Sequence, residues 1–567
     1  MSGKASQCLV VWFRRDLRLQ DHGALTQACR RGPVLPLFVL DDALIHHPET
    51  AVARVAFLLA NLRALDQELR RLGARLLVRR GDPTRVLLEL VRGSGAAGVI
   101  AHSDSERLVG RVRDARVQRQ LLAAGIPLRW VEPAGSSGEL LAYSAWSRQW
   151  HGAMAAPVLP WPSRLEVPPA SDGVLADLPL PSLEQLGLRS DGKPLPAAGS
   201  AAGLERLEQF CEGAASRSYY WELSYPSARV TTGLSPYLKF GVVTPRQCLQ
   251  RLALLRPGDR SSPRSRSALQ LASRVRWGCA MHQRFRYLPQ LELQSLWRVF
   301  DDDEAPLSAE QEELYSAWQD GRTGFPIVDA AARCLAAEGG WLELNFRSRA
   351  IYASFLANLC GIDWRYGALH FMRHLIDGDC PIDHYQWAMQ AGVTYHGARA
   401  WTRIYHPGQV AVNRCDPHGL FIRRWLPELA DLTNDQLGAP PAMAAYPRPI
   451  LDYESARRRR IELLNAQRLR IGELRQAMAR LPQRLLPFGS ERFERLELHW
   501  ASEPMPALEP AAVPLDQLDA AGWSALMSWF SMSSRATGTA RREPAASSPP
   551  RRRRRQEAPG QLSLDLD

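Results

Sequence analysis

Gly321-Arg-Thr-Gly-Phe-Pro-Ile-Val-Asp329 opens the stretch whose reading decides the fold. Asn345-Phe-Arg-Ser-Arg349 and Ile362-Asp-Trp-Arg365 follow, then Asp377-Gly-Asp379, Asp383 and Trp387, and Phe421-Ile-Arg-Arg-Trp-Leu-Pro-Glu-Leu429 closes it. Helical periodicity runs through all of it, so carboxylates, arginines and spaced tryptophans sit in one helical stretch. Asp377, Asp379 and Asp383 fall within seven residues. Burying three carboxylates unpaired is costly, and an arginine partner plus a ring with donor N–H groups relieves that cost. The pattern suits a buried, redox-active, hydrogen-bonding ligand better than plain core packing. Taken alone, the three carboxylates also read as a solvated acidic turn.

Outward from this stretch the chain changes character. Residues 8–133 alternate short apolar runs (Cys8–Phe13, Val34–Leu40, Ala74–Val78, Gly98–His102, Pro127–Val131) with amphipathic segments such as Ala51–Leu72. That alternation predicts an α/β domain over 1–135, with a parallel sheet covered by helices. No GxGxxG follows the first run, so the ordinary dinucleotide fingerprint is missing. Residues 136–200, rich in Pro, Ser, Gly and Ala, read as a surface connector. Helical periodicity from 201 to 490 predicts a large all-α domain, and 454–480 reads as a strongly basic amphipathic helix. A possible short helix, Ala520–Phe530, lies in the tail from 491 to 560, which reads as mostly disordered and basic, with Arg551–Arg555 near its end.

At 567 residues the chain has room for two or three domains and a large core. No run of about 18 apolar residues predicts a membrane span, and the chain enters Cys8–Phe13 without a secretory leader. Nine cysteines without CxxC spacing predict free cytosolic thiols and no metal site. A net charge of +12 favours a polyanionic partner, most simply nucleic acid; the competing reading is a solvated basic surface. Only Lys4, Lys193 and Lys239 are lysines, so arginine carries almost all of the positive charge.

Tyr219 and the run Thr231-Thr-Gly-Leu-Ser235, with Thr232, Gly233 and Leu234 between, offer hydroxyls and N–H groups beside a helix start. Such a set suits a pyrophosphate, although alone it reads as an N-cap.

Recurring in this order over roughly residues 7–465, these motifs closely resemble those of the DNA photolyase/cryptochrome family, in particular a bacterial and cyanobacterial subgroup with an Asn-Phe-Arg-x-Arg pattern. Val10-Val-Trp-Phe-Arg-Arg-Asp-Leu-Arg18 with Asp21-His22 resembles the opening of its antenna domain, which holds a light-harvesting chromophore; a second chromophore of unknown identity is therefore expected. The segment His102–Arg107, which often contacts it, departs from the family pattern. The resemblance implies FAD as cofactor. Tyr219, Thr231, Thr232, Gly233, Leu234 and Ser235 would form the phosphate clamp. Asn345, Arg349, Asp377 and Asp379 would serve the flavin ring, with Arg349 pairing to Asp377. Asp383 stands at the position facing flavin N5, where many photolyases have asparagine and plant cryptochromes aspartate, a proton source if its pKa is raised.

Trp387 and Trp364 match the inner members of the family's electron-transfer chain. The third position falls near Ser308, which leaves Trp297, Trp318 or Trp401 as substitutes, or a shorter chain. The lesion pocket would comprise Arg274, Trp277, Phe346, Arg347 and Met389, several of which replace polar or aromatic family residues. Asn345 in place of a histidine disfavours (6-4) photoproducts.

Gln561-Leu-Ser-Leu-Asp-Leu-Asp567, with Gln561, Leu562, Leu564 and Leu566 as anchors, resembles the bacterial sliding-clamp-binding peptide. The expectation is a monomeric, cytoplasmic, nucleoid-associated enzyme, without membrane contact. It would repair cyclobutane pyrimidine dimers by electron transfer from photoexcited reduced FAD. The alternative is a cryptochrome-like blue-light photoreceptor without repair activity, which Asp383 and the altered pocket favour.

Overall fold

The computed structural model describes residues 8–105, 107–168, 173–256, 261–293, 295, 300, 306–394 and 403–478. The segment 479–567 lies outside these, and with it the 520–530 helix, the arginine run and the clamp-like peptide. Trp297 and Trp401 are also outside the described residues.

Five parallel strands, β1 (Leu9–Phe13), β2 (Val34–Leu40), β3 (Leu77–Arg80), β4 (Val99–His102) and β5 (Leu128–Val131), form a sheet in the order β3-β2-β1-β4-β5. β1 runs from Leu9 opposite Val34 to Phe13 opposite Phe38 on one side, and from Val10 opposite Val99 on the other. Both faces are buried. Leu9, Val11 and Phe13 enter a core shared with the helical part, while Val10 and Trp12 pack beneath the helices Pro83–Ser94 and Leu108–Ala123. Burial on both faces is why β1 and β2 are uninterrupted apolar runs.

The third strand begins three residues later than its apolar run. Ala74 N–H bonds to Leu69 O (3.0 Å) and Leu76 N–H to Asp66 Oδ1 (2.8 Å), so this stretch first closes the end of the helix Val52–Arg71.

From Ser200 onward the described elements are helices, without a strand. The 136–200 segment, expected as a surface connector, also contains a helix, Tyr143–Ala155. Its Trp146 and Trp150 are buried against Met281 and Phe285 of the long helix Pro263–Tyr287.

The Gly321–Asp329 motif is a clasp. Asp329, fully buried, accepts from Thr323 N–H (2.8 Å), Thr323 Oγ1 (2.6 Å), Gly324 N–H (3.1 Å) and the Tyr446 hydroxyl (2.5 Å). Gly324 has φ +77°, and a Cβ there would lie 2.4 Å from the Arg448 backbone, so only glycine fits. Farther along, the helix Tyr453–Met478 is tied down by Arg460, which donates to Asn358 Oδ1 (3.1 Å) and Ala391 O (2.7 Å).

No described helix is long and apolar enough to cross a membrane. All nine cysteines are unpaired.

Candidate functional site

Asn345 starts the helix Phe346–Ser354: its Oδ1 accepts from Ser348 N–H (3.0 Å) and its amide donates to Leu223 O (3.2 Å). Asn345 is thus an N-cap, worth about 1 kcal/mol, which sets the start of the helix that carries Arg349. Arg349 reaches Asp377 at 3.2 Å and is steadied by Gly340 O (2.6 Å) and Leu344 O (3.0 Å). The clamp segment lies against the same turn, with the Thr231 hydroxyl donating to Leu342 O at 2.8 Å. Thr232 Oγ1 accepts from Leu234 N–H (3.3 Å), and Ser235 opens the short helix Ser235–Lys239. Gly233 has φ +65°, and a Cβ there would lie 2.4 Å from Arg206 Nη2. Tyr219 is buried edge-on against Phe210.

The other two carboxylates ride on the helix Cys380–Ala391 and its N-terminal boundary. Asp379 is held by Arg15 (3.2 Å to both oxygens), His282 (3.1 Å) and Lys239 (3.9 Å). Burial opposes its charge, but His282, Lys239 and Arg15 overcome that and hold the carboxyl well below its ordinary value. One turn later, Asp383 is pushed up to about 7, chiefly by burial, with Glu49 adding and His384 opposing. Its Oδ2 makes no hydrogen bond, and neither does the buried Trp387 Nε1 a further turn along.

A buried carboxyl oxygen and a buried indole N–H without partners, on one helix and in a protein that also pairs Arg349 with Asp377, fit a heterocycle with both donor and acceptor atoms. These residues therefore fit a flavin ring.

Trp387 meets Phe371 (4.9 Å between centroids) and Trp318 (6.1 Å), and Trp318 stacks on Tyr352 at 4.1 Å. A Cβ at Gly367 would lie 2.2 Å from the Trp387 ring, so the glycine makes room for the indole. Trp364 donates to Ser295 Oγ (3.1 Å) and sits edge-on to His384. Ser308 is the N-cap of Ala309–Gln319 and forms a capping box with Gln311, a role that excludes tryptophan there.

The expected lesion residues divide. Trp277 and Met389, both half-buried, border one apolar cluster. The Arg274 guanidinium lies 4.7 Å over the Phe346 ring. Arg347 instead turns to the Tyr405 hydroxyl (2.6 Å) and lines a separate 580 Å³ cavity with Arg403, Arg414, Arg457 and Arg468. Among the described residues, no carboxylate lines it.

At the sheet edge, Arg15 also pairs with Asp104 (2.8 Å), and Arg107 with Glu49 (2.5 Å) and His47 (2.8 Å). The 102–107 segment is thus largely engaged in internal ion pairs. The adjoining cavity, lined by Trp12, Arg54 and Arg107 among others, measures 140 Å³, below the roughly 300 Å³ at which ligand pockets begin.

Sequence reasoning did not find Arg15, Glu49, Arg107 or His282 as partners of the site. The available signals were Arg14-Arg15 directly after β1, at the carboxyl edge where the connections after β1 and β4 run to opposite sides of the sheet, and a histidine adjoining Asp383.

Two family profiles match: DNA photolyase over residues 9–133, and the FAD binding domain of DNA photolyase over 271–466. The chain is 32% identical to a deoxyribodipyrimidine photo-lyase of Synechococcus over 82% of its length and 98% of that protein's. It is 30% identical to cryptochrome-1 of Arabidopsis thaliana, covering 82% of this chain and 72% of that one. A bacterial class III photolyase from Agrobacterium tumefaciens superposes with a TM-score of 0.69 at 26% identity, over 82% of this chain and 98% of that structure. With both family profiles matched in order along the parallel sheet and the helical part, the chain belongs to the DNA photolyase family and carries its FAD-binding domain.

Proposed function

We propose that this protein splits cyclobutane pyrimidine dimers in DNA under blue or near-UV light. One observation carries the reading: the helix Cys380–Ala391 bears the unpartnered Asp383 and Trp387, and its Met389 borders the same apolar cluster as half-buried Trp277. The proposed flavin site and base-stacking surface would thus meet where the helices Cys380–Ala391 and Pro263–Tyr287 pack, which holds donor and acceptor close.

Bound FAD, in its fully reduced form, supplies light absorption and the electron exchanged with the dimer. Arg349, Asp377 and Asp379 would hold and tune the ring system, and Asn345 fixes the helix from which Arg349 projects. Tyr219 and Thr231–Ser235 would hold the phosphates. Asp383 would hold a proton near the ring. Trp387, with Trp364 and Trp318 around it, would conduct electrons inward. Trp277, Phe346 and Met389 would wall the flipped dimer and exclude water, with Arg274 beside them. The arginine-lined cavity, free of carboxylates among the described residues, and the net charge of +12 support DNA as partner. The 561–567 peptide would dock a monomer onto a sliding clamp and place it at the nucleoid.

The test is loss of thymine dimers from single- and double-stranded oligonucleotides mixed with the reduced holoprotein. Loss only under light is the expected result; none, with the flavin bound and reduced, overturns repair. The second reading, a cryptochrome-like photoreceptor, is favoured by Asp383, whose raised pKa suits a proton donor.

A further inference from the structure

His384 follows Asp383 on the same helix and is buried at 2% exposure. Its Nε2 lies 3.2 Å from Glu49 Oε1, a residue of the sheet domain. Its Nδ1 lies 3.6 Å from the unpartnered Asp383 Oδ2. Glu49's other oxygen accepts from Arg107 Nη2 at 2.5 Å. Carboxyl, imidazole and carboxylate therefore stand in line across the domain boundary.

We infer that His384, braced by Glu49, is the proton reservoir of Asp383: the imidazolium returns a proton to the Asp383 carboxylate after that carboxyl has given its own to a base in the adjoining site. The inference rests on Asp383 facing the flavin, as proposed above.

The proton steps balance as transfers between named groups, with the electron that makes the acceptor basic arriving through Trp387 as proposed above. The O–H bond of Asp383 would break and its proton would pass to the flavin, which would supply the base once it has gained that electron. The Nδ1–H bond of His384 then breaks, an O–H bond forms on Asp383, and His384 is left neutral with its Nε2–H held by Glu49. At 3.6 Å the pair is outside hydrogen-bonding range, so transfer requires that gap to close by a few tenths of an ångström.

The surrounding charges set which of these groups carries a proton at neutral pH. Burial opposes charge on His384, but the Cys380 sulfur and the Glu49 carboxylate together hold its pKa well above the ordinary value. Cys380 is itself pushed up to about 11 by burial, so at neutral pH Glu49 is the anion that matters. Glu49 stays ionised because His384 and Arg107 outweigh its burial. His47, beside Arg107, is pushed down by burial and by that arginine, so it adds no charge. Glu292 is pushed up by burial and competes weakly for Arg107. On the other side, Arg349 and Arg54 both favour Asp383 ionisation, yet burial keeps it near 7. An imidazolium thus sits beside a carboxyl that titrates near neutrality.

A plain interdomain ion pair would also explain Glu49–His384, so the test reads Asp383 itself. In the holoprotein, the protonated-carboxyl infrared band of Asp383 is followed against pH, and imidazole NMR reports the charge of His384. The expected results are an imidazolium at neutral pH that is lost in Glu49→Gln, and an Asp383 midpoint raised by about one unit in His384→Gln, because a neighbouring cation is removed. After a light pulse the carboxyl band should bleach and recover, and the recovery should slow severalfold in His384→Gln. A neutral His384, an unmoved midpoint or an unchanged recovery overturns the reservoir. Coupled titration without any bleach overturns the flavin-facing placement, and the reservoir with it. The dimer-loss assay stands apart from all of these outcomes, so failure of the repair function is distinguished from failure of the relay.

Discussion

Arg15 and Asp379 meet across the two domains: Arg15 Nη1 lies 3.2 Å from both oxygens of the Asp379 carboxylate while its other nitrogens hold Asp104. One guanidinium after β1 therefore compensates two buried carboxylates more than 270 residues apart. Arg15→Ala leaves Asp104 without that partner and Asp379 with only Lys239 and His282. The expected loss is about 3 kcal/mol in urea unfolding. Both carboxyls are held below their unfolded values. They therefore stabilise the fold above about pH 4 and lose that contribution as pH falls through their lower folded values. The acid-unfolding midpoint of Arg15→Ala should accordingly rise, and an unshifted midpoint would show that the other cations suffice.

Asp383 has the opposite sign. Its folded pKa of about 7 lies above the unfolded one, so the native state binds the extra proton between. Stability contributed by protonated Asp383 is lost as pH rises toward 7. Asp383→Asn removes that dependence, and relative to the parent it should gain of order 2 kcal/mol between about pH 5 and about pH 8. Thermal melts across that range check it; a constant difference would mean the carboxyl is already ionised.

Trp318→Phe keeps an aromatic ring against Tyr352 and removes the indole edge that meets Trp387. Photoreduction of oxidised flavin should slow severalfold while dimer splitting by chemically reduced enzyme stays near the parent rate. Equal loss of both would indicate a packing defect instead.

The arginine cavity predicts a salt signature. Arg414 and Arg457 are exposed and line it. Replacing either with alanine should reduce the slope of log K against log salt for DNA by about one for each phosphate no longer neutralised. A slope unchanged in both variants would place the DNA elsewhere.

The sheet was legible because parallel strands buried on both faces leave continuous apolar runs; β3 starts later than its run because Ala74 and Leu76, apolar on either side of Arg75, bond to the preceding helix. The Tyr143–Ala155 helix was masked by the Pro/Gly-rich composition around it, although Trp146 and Trp150 at helical spacing were a signal. Asp377, Asp379 and Asp383 stood out because burying three carboxylates so closely demands compensation. The Asp379 partners Arg15, Lys239 and His282 did not, because a contact between distant segments leaves no local period. Asn345 matched a family motif, yet its side chain is occupied by capping, which position alone does not reveal.

The clasp at Asp329 has a consequence for how the protein is made. Its fourth partner, Tyr446, is 117 residues downstream, and Arg460 secures Asn358 and Ala391 later still. On the ribosome, the face of the sheet that carries Val10 and Trp12 can pack against its own helices before the helical part is made, while the opposite face waits for it. The segment bearing Arg349, Asp377, Asp383 and Trp387 must instead wait for the chain beyond Arg460 before its enclosing loop is fastened. Cofactor loading would then fall at the end of the helical part's synthesis, and a chain released before Tyr446 would retain Asp377, Asp379 and Asp383 yet lack the fastening that holds their segment in register.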